Sequence, residues 1–200
     1  MLRRYQMRFN WLHFHKKNLP ILAASALFLT FIITPFINNQ AQAATAKEID
    51  VSVEVALDRF KNDVAGAEEF LNNAKGVLIL PNVIRIGFVL GGEYGEGALL
   101  IDGKTVDYYN IAAGSFGFQF GAQSKNLIII FMDEDVLTKF RDSLGWEAGV
   151  DGSIAVIDLG AGGSVDTTNI RHPIVGFVYG LKGLMVNISL EGSKFTKLIK

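Results

Sequence analysis

Glycine recurs inside the strand-like segments of this chain, and this feature most restricts how the chain can fold. From Gly76 onward apolar residues alternate with glycine and polar residues, as in residues 115–121, where three phenylalanines fall on one face. A period of two is typical of strands with one buried face. Glycine weakens a strand, so its repetition indicates tight curvature or close backbone approach. The sequence therefore predicts a strongly curved antiparallel sheet, closed or nearly closed as a barrel or sandwich.

Two helical patterns accompany the predicted sheet. Residues 45–74 place apolar side chains at three- and four-residue steps, which is typical of an amphipathic helix packed on a core, and Gly66 is expected to divide it. A second helix is predicted from Asp133, its N-cap, to a stop near Gly145. The predicted fold class is α+β, mainly β: a curved antiparallel glycine-rich sheet, barrel- or sandwich-like, with an N-terminal helix and one inserted helix.

Residues 1–43 differ from the rest of the chain, because they contain five Lys or Arg residues and no Asp or Glu. An apolar run over residues 19–37 leads to the small-residue triplet that ends at Ala43. This order is typical of a secretory signal cleaved after Ala43; the alternative is an uncleaved anchor, because a run of this length could just span a bilayer. The expected organisation is a signal peptide (1–43), an N-terminal helical segment (44–74) and a β-rich domain (75–200). Residues 44–200 would form one folding unit, periplasmic or secreted.

The chain after residue 43 offers little material for catalysis. It contains no cysteine, so a disulfide scaffold, a zinc-thiolate site and a cysteine nucleophile are excluded. His172 is its single histidine, and the nominal carboxylate pairs Glu93/Glu96 and Glu147/Asp151 are expected to lie on solvated strand faces. The 14 basic and 20 acidic residues leave a formal net charge of −6, which argues against nucleic-acid binding. We expect no enzyme activity, cofactor or metal.

Aromatic and basic residues are the better candidates for function. The aromatic side chains of the sheet either build a core or line an apolar surface that accepts greasy ligands. The residues predicted to contact apolar lipid groups are Phe116, Phe118, Phe120 and Tyr179. The residues predicted to meet a lipid headgroup are Lys75, Arg85, Lys182 and Lys194.

Several motifs, in order, resemble the SYLF domain. They are residues 74–81 (AKGVLILP), 91–100 (GGEYGEGALL), 121–124 (GAQS), 131–132 (FM), 145–147 (GWE), 160–163 (GAGG), 183–185 (GLM) and 189–195 (SLEGSKF). The resemblance covers roughly residues 56–199. It implies lipid binding: eukaryotic members bind phosphoinositides within actin-linked endocytic adaptors, and bacterial members are single exported lipid-binding domains. It implies no catalytic residue.

These observations together predict an exported, non-enzymatic protein that binds lipid or associates with a membrane surface. The alternative is an envelope structural or protein-interaction module that never binds lipid directly. A hydrolase that uses paired carboxylates is a third hypothesis, which a strongly raised glutamate pKa in a cleft would favour.

Overall fold

The structure is a computed structural model, and it describes residues 44–87, 90–116, 121–159, 172–183 and 189–200. The predicted signal peptide, residues 1–43, lies outside the described residues. Ala44–Lys200 form one compact unit that holds every described helix and strand. No helix in the described ranges is long and apolar enough to cross a membrane.

Two helices occupy the segment predicted to be helical. Helix α1 (Ala46–Asp63) begins with a capping box, in which the Thr45 hydroxyl accepts from the Glu48 amide and the Glu48 carboxylate accepts from the Thr45 amide. Gly66 adopts a left-handed conformation (φ 85°) between α1 and helix α2 (Ala67–Asn73). The chain therefore turns at the glycine expected to divide the helix.

In the described ranges, eight strands form one strongly curled, half-barrel sheet. They are β1 (Gly76–Gly87), β2 (Leu90–Ile101), β3 (Lys104–Phe116), β4 (Gly121–Phe131), β5 (Trp146–Glu147), β6 (Ala155–Asp158), β7 (Ile174–Gly183) and β8 (Lys194–Leu198). Their order across the sheet is β5-β8-β3-β2-β1-β4-β7-β6. The predicted fold class, α+β and mainly β, is confirmed.

One pairing differs from the antiparallel prediction. Strand β6 pairs with β7 in parallel, whereas every other named pair is antiparallel. Parallel neighbours need a long connection instead of a tight turn, and residues 159–173 separate β6 from β7. Alternation along a strand reports its faces but not its direction, so the sequence could not predict this pairing.

Close backbone approach explains glycine at the centre of the sheet. A Cβ on Gly97 would overlap the carbonyl oxygen of Ile79, and one on Gly95 would lie 2.7 Å from Val83 Cγ2. At this point β1 contains a bulge, where the register shifts between Leu80 and Val83 and Asn82 has a φ of 51°. Strands β1 and β2 therefore approach more closely there than side chains would allow.

Each face of the sheet has its own core. The helix predicted after Asp133 is α3 (Glu134–Asp142), and its Leu137 and Phe140 join strand residues in one buried cluster. A Cβ on Gly152 would lie 2.8 Å from Trp146 and 3.7 Å from Ile174. Trp146 lies in β5 and Ile174 in β7, which are near opposite ends of the strand order. Side chains from such distant strands can approach each other only on the inner side of a curled sheet, so this face is the concave one. Helices α1 and α2 form the second cluster on the other, convex face.

Candidate functional site

Helices α1 and α2 leave part of the convex face uncovered. At the uncovered end lie Ile84 (51% exposed), Ile86 (61%), Leu90 (70%) and Tyr94 (50%), which we call the apolar strip. Tyr94 is the register partner of Ile84, and Ala98, four residues along β2, packs under the helices. The strip therefore continues the face that α1 and α2 cover, but without a cover among the described residues.

The bulge in β1 puts the two isoleucines on this face. Before the bulge, Leu78 and Leu80 point into the concave core; after it, Val83 does so. The extra residue reverses the alternation, so Ile84 and Ile86 move to the convex face. Without the bulge both side chains would continue the buried row of Leu78 and Leu80.

Small residues flank the strip. Ala112 pairs with Tyr94, Gly114 pairs with Gly92, and Ala122 pairs with Ile86. A Cβ on Gly114 would meet no atom of the described residues within 4 Å, so that part of the chain leaves the surface there open. The apolar side chains consequently stand above a shallow background, where a flat partner could reach them.

Two of the predicted headgroup residues lie in the same row as the strip. Lys182 pairs with Ser124, which pairs with Ile84; Lys194 pairs with Ala112, which pairs with Tyr94. Each lysine is exposed and lies two strand spacings, roughly 10 Å, from the strip. The register partner of Lys194 in β5 is acidic, Glu147, whereas the register partner of Lys182 in β4 is the neutral Ser124. Lys182 therefore has the less acidic surroundings across the sheet.

The other two predicted headgroup residues lie elsewhere. The register partners of Arg85 in the neighbouring strands are Glu93 and Gln123. Register partners share a face of the sheet, so Arg85 faces the concave side with Glu93. Lys75 precedes β1 at the opposite end of that strand, where its amide donates to the carbonyl of Phe131. The structure does not bring the four predicted cationic residues together.

Of the four aromatic residues predicted to contact lipid, the structure describes the side chain of Tyr179 alone. Tyr179 is only 4% exposed, because α1 covers it, and its hydroxyl donates to the Ala56 carbonyl at 2.5 Å. Lipid could reach this ring only if α1 moved away, so Tyr179 has a structural role here. Phe118 and Phe120 lie outside the described residues, as does the side chain of Phe116.

A polar cluster closes the helix-side end of the strip. Tyr94 donates to Glu96 at 2.7 Å, and Lys200 lies 2.9 Å from the same carboxylate. Burial acts to raise the pKa of Glu96, but the hydrogen bonds from Tyr94 and Lys200 outweigh it and hold that pKa below its usual value. Burial, followed by the Glu96 contact, raises the pKa of Tyr94. Near neutral pH this edge therefore holds a charged Glu96–Lys200 pair and a neutral phenol.

A buried ion pair lies on the concave side of the same strands. Lys125 Nζ is 3.0 Å from Glu93 Oε1 and 3.1 Å from Oε2, and the side chains are 2% and 4% exposed. Glu93 was predicted to lie on a solvated strand face, and this prediction was wrong, because Glu93 faces the concave side of the sheet, where Lys125 pairs with its carboxylate. Glu96 faces the other side, so Glu93 and Glu96 are not a carboxylate pair.

The remaining catalytic candidates are also placed by the structure. The Asp151 carboxylate accepts from the Glu147 amide at 2.7 Å, so it stabilises a turn. His172 is exposed. Among the described ranges, no group of three or more His, Cys, Asp or Glu residues could hold a metal ion.

Over the described residues, the fold and surface define a small β-rich domain with a curled sheet, helices on both faces and an uncovered apolar strip. Residues 112–198, from within β3 to the end of β8, match the model of the Ysc84 family, described as Las17-binding protein actin regulator. The matched model is that of the SYLF domain, the family that the motifs resemble. No curated protein gave a significant match to the chain.

Proposed function

We propose that this protein is an exported, non-enzymatic SYLF domain that associates with a lipid membrane surface through the apolar strip. The observation that carries the proposal is the exposure of Ile84, Ile86, Leu90 and Tyr94 side by side on an otherwise shallow face. Contiguous exposed apolar side chains are typical of protein or membrane contact sites. The match of residues 112–198 to the SYLF family model agrees with a lipid-related role.

Lys182 and Lys194 give the surface its preference for anionic lipid. Lysines near a negatively charged bilayer contribute about 1 kcal/mol each, and the attraction fades with salt. The chain after residue 43 carries a formal net charge of −6, so attraction must be local. Lys182 and Lys194 lie on either side of the strip in one row across the sheet, so their positive charges are close to the proposed contact surface.

Export rests on the first 43 residues. Their basic start, apolar run and small-residue triplet are the features of a secretory signal. N-terminal sequencing of the protein recovered from the periplasm or medium should begin at Ala44. Recovery of the intact chain from membranes alone would contradict cleavage.

Vesicle flotation tests the membrane proposal. Residues 44–200 would be mixed with vesicles of phosphatidylcholine alone or with phosphatidylglycerol, and we expect selective flotation with the anionic vesicles at low salt. Ile84→Thr/Ile86→Thr should abolish flotation, because threonine keeps the β-branched shape but loses the apolar surface. Val150→Thr/Val156→Thr is the matched control, since both valines are exposed, one in the turn after β5 and the other in β6, outside the strip.

The outcomes separate the two contributions. Lys182→Gln should reduce flotation more than Lys194→Gln, because the register partner of Lys194 in β5 is acidic and that of Lys182 in β4 is neutral. Flotation unchanged by the double isoleucine variant would contradict the strip as the contact surface. Flotation that ignores salt and lipid charge would contradict the role of the lysines.

A protein-interaction module is the alternative function. The family description names the protein Las17 as the partner of its members, and a flat apolar strip with a tyrosine could also dock a protein. Crosslinking in cells that recovers one dominant partner, lost in Ile84→Thr/Ile86→Thr, together with no flotation on any vesicle, would favour this alternative.

A further inference from the structure

A second candidate site lies near the opposite end of β1 and does not depend on the membrane proposal. A cavity of about 340 Å³ opens between α1, α2, the start of β1 and the turn that joins β2 to β3. Val77 lines it, and Val77 lies nine residues from Ile86 along the strand, or about 30 Å at the usual rise. We call this cavity the basic groove.

Part of the wall of the basic groove is apolar, and the rest is polar. The apolar side chains of the lining are those of Leu57, Leu71, Ala74, Val77 and Leu100, and Asn72 adds a neutral polar one. All five apolar residues pack against the convex-face core and yet remain partly exposed. Their outer surfaces are therefore available to an apolar group, while their inner surfaces are held in place by the core.

The rim of the basic groove carries two lysines. Lys61 lies in the last turn of α1, and Lys75 lies between α2 and β1. Both are exposed, and neither forms an ion pair with another described residue. Asp102, in the turn that joins β2 to β3, is an acidic member of the lining, so the charged side chains that line the groove sum to one positive charge.

We propose that the basic groove binds a single-chain anionic amphiphile, such as a medium-chain fatty acid. The acyl chain would lie along the apolar part of the wall, and the carboxylate would meet Lys61 and Lys75 at the rim. Ligand pockets usually occupy about 300–1,000 Å³. At the low end of that range the groove suits one short acyl chain and is too small for a two-chain phospholipid.

Calorimetric titration with decanoate, below its micelle-forming concentration, tests this proposal on residues 44–200. We expect saturable binding of one decanoate per chain. Replacing one lysine by Gln should weaken binding about threefold, and Lys61→Gln/Lys75→Gln about tenfold. Asp102→Asn should strengthen it about twofold by removing a repulsive carboxylate, and asparagine tolerates the positive φ of 51° found there.

Matched controls make the result specific. Lys139→Gln removes an exposed lysine of α3 on the other face and should leave the affinity unchanged. Decyltrimethylammonium, which has the same chain and the opposite charge, should bind at least tenfold more weakly. Because Lys61 and Lys75 are exposed, their replacement should leave the thermal unfolding midpoint unchanged, and this verifies that each variant is folded.

Two results would overturn the proposal: no saturable decanoate binding, or binding that the double lysine variant leaves intact. Failure here is distinguishable from failure of the membrane proposal. The groove variants should still float with anionic vesicles, and the strip variant should still bind decanoate. If Lys61→Gln/Lys75→Gln abolished flotation but not decanoate binding, the groove lysines would serve the membrane and the amphiphile site would be wrong.

Discussion

Two buried tyrosines differ in what their hydroxyl groups contact. Tyr179 donates to the Ala56 carbonyl, whereas the Tyr109 hydroxyl has no hydrogen-bond partner among the described residues. An unpaired buried polar group costs free energy, and a paired one contributes about 1 kcal/mol. We predict that Tyr179→Phe lowers the free energy of unfolding by about 1 kcal/mol, while Tyr109→Phe leaves it unchanged or raises it. Urea unfolding of both variants checks this, and equal losses would show that Tyr109 is hydrogen-bonded.

The buried pair Glu93–Lys125 should tolerate joint replacement better than single replacement. Lys125→Met removes the lysine beside the buried Glu93 carboxylate, and removing one partner of a buried ion pair costs about 3–5 kcal/mol. We predict that adding Glu93→Gln restores most of the loss, because the uncompensated charge is then removed. A double-mutant cycle measured by chemical unfolding gives the coupling energy. Additive losses would mean that the two groups do not act as a pair.

At the scale of the element, the central strands need glycine where backbones meet. A Cβ on Gly97 would overlap the Ile79 carbonyl, whereas a Cβ on Gly114 would have no atom of the described residues within 4 Å. We predict that Gly97→Ala destabilises the fold by about 3 kcal/mol or more. Gly114→Ala should be neutral or stabilise by up to about 1 kcal/mol, because it restricts the unfolded chain. Thermal unfolding of the two variants measures the difference, and similar midpoints would contradict the close approach.

At the scale of the whole molecule, buried phenols limit stability at high pH. Burial, followed by the charge of Asp107, raises the pKa of Tyr109 to about 12, and burial also raises the pKa of Tyr179. Unfolded tyrosines ionise near pH 10. Above that pH the folded state binds more protons than the unfolded state, so the free energy of unfolding falls as the pH rises. The stability that the protonated Tyr109 contributes is therefore complete below pH 10 and is lost towards pH 12.

We predict that the free energy of unfolding falls from pH 10 to pH 11.5 and that Tyr109→Phe makes the fall shallower. Urea titrations at pH 8, 10, 11 and 11.5 would measure it for both proteins. Identical slopes would mean that Tyr109 ionises in the folded state as readily as in the unfolded chain.

Much of the fold could be predicted because it follows from local pattern. Alternation from Gly76 identified the strands, the spacing in residues 45–74 identified helix, and Asp133 marked the start of α3 as its N-cap. The candidate site could not be predicted in the same way. Lys182 and Lys194 were identified as basic residues near turns, but only the strand register places them in one row with Ile84 and Tyr94. Arg85 and Lys75, chosen on the same grounds, lie on the other face and near the other end.

The sequence alone determined that this chain builds a curved, glycine-rich sheet with helices beside it, because periodicity and glycine content act locally along the chain. Only the tertiary structure decided which side chains face a partner. One extra residue in β1 reverses the alternation after Leu80, so Ile84 and Ile86 leave the buried face and Val83 takes their place. Helices α1 and α2 do not extend over these isoleucines, so the apolar strip stays uncovered. The extent to which the helices overlap the sheet depends on tertiary packing, and local sequence does not specify it.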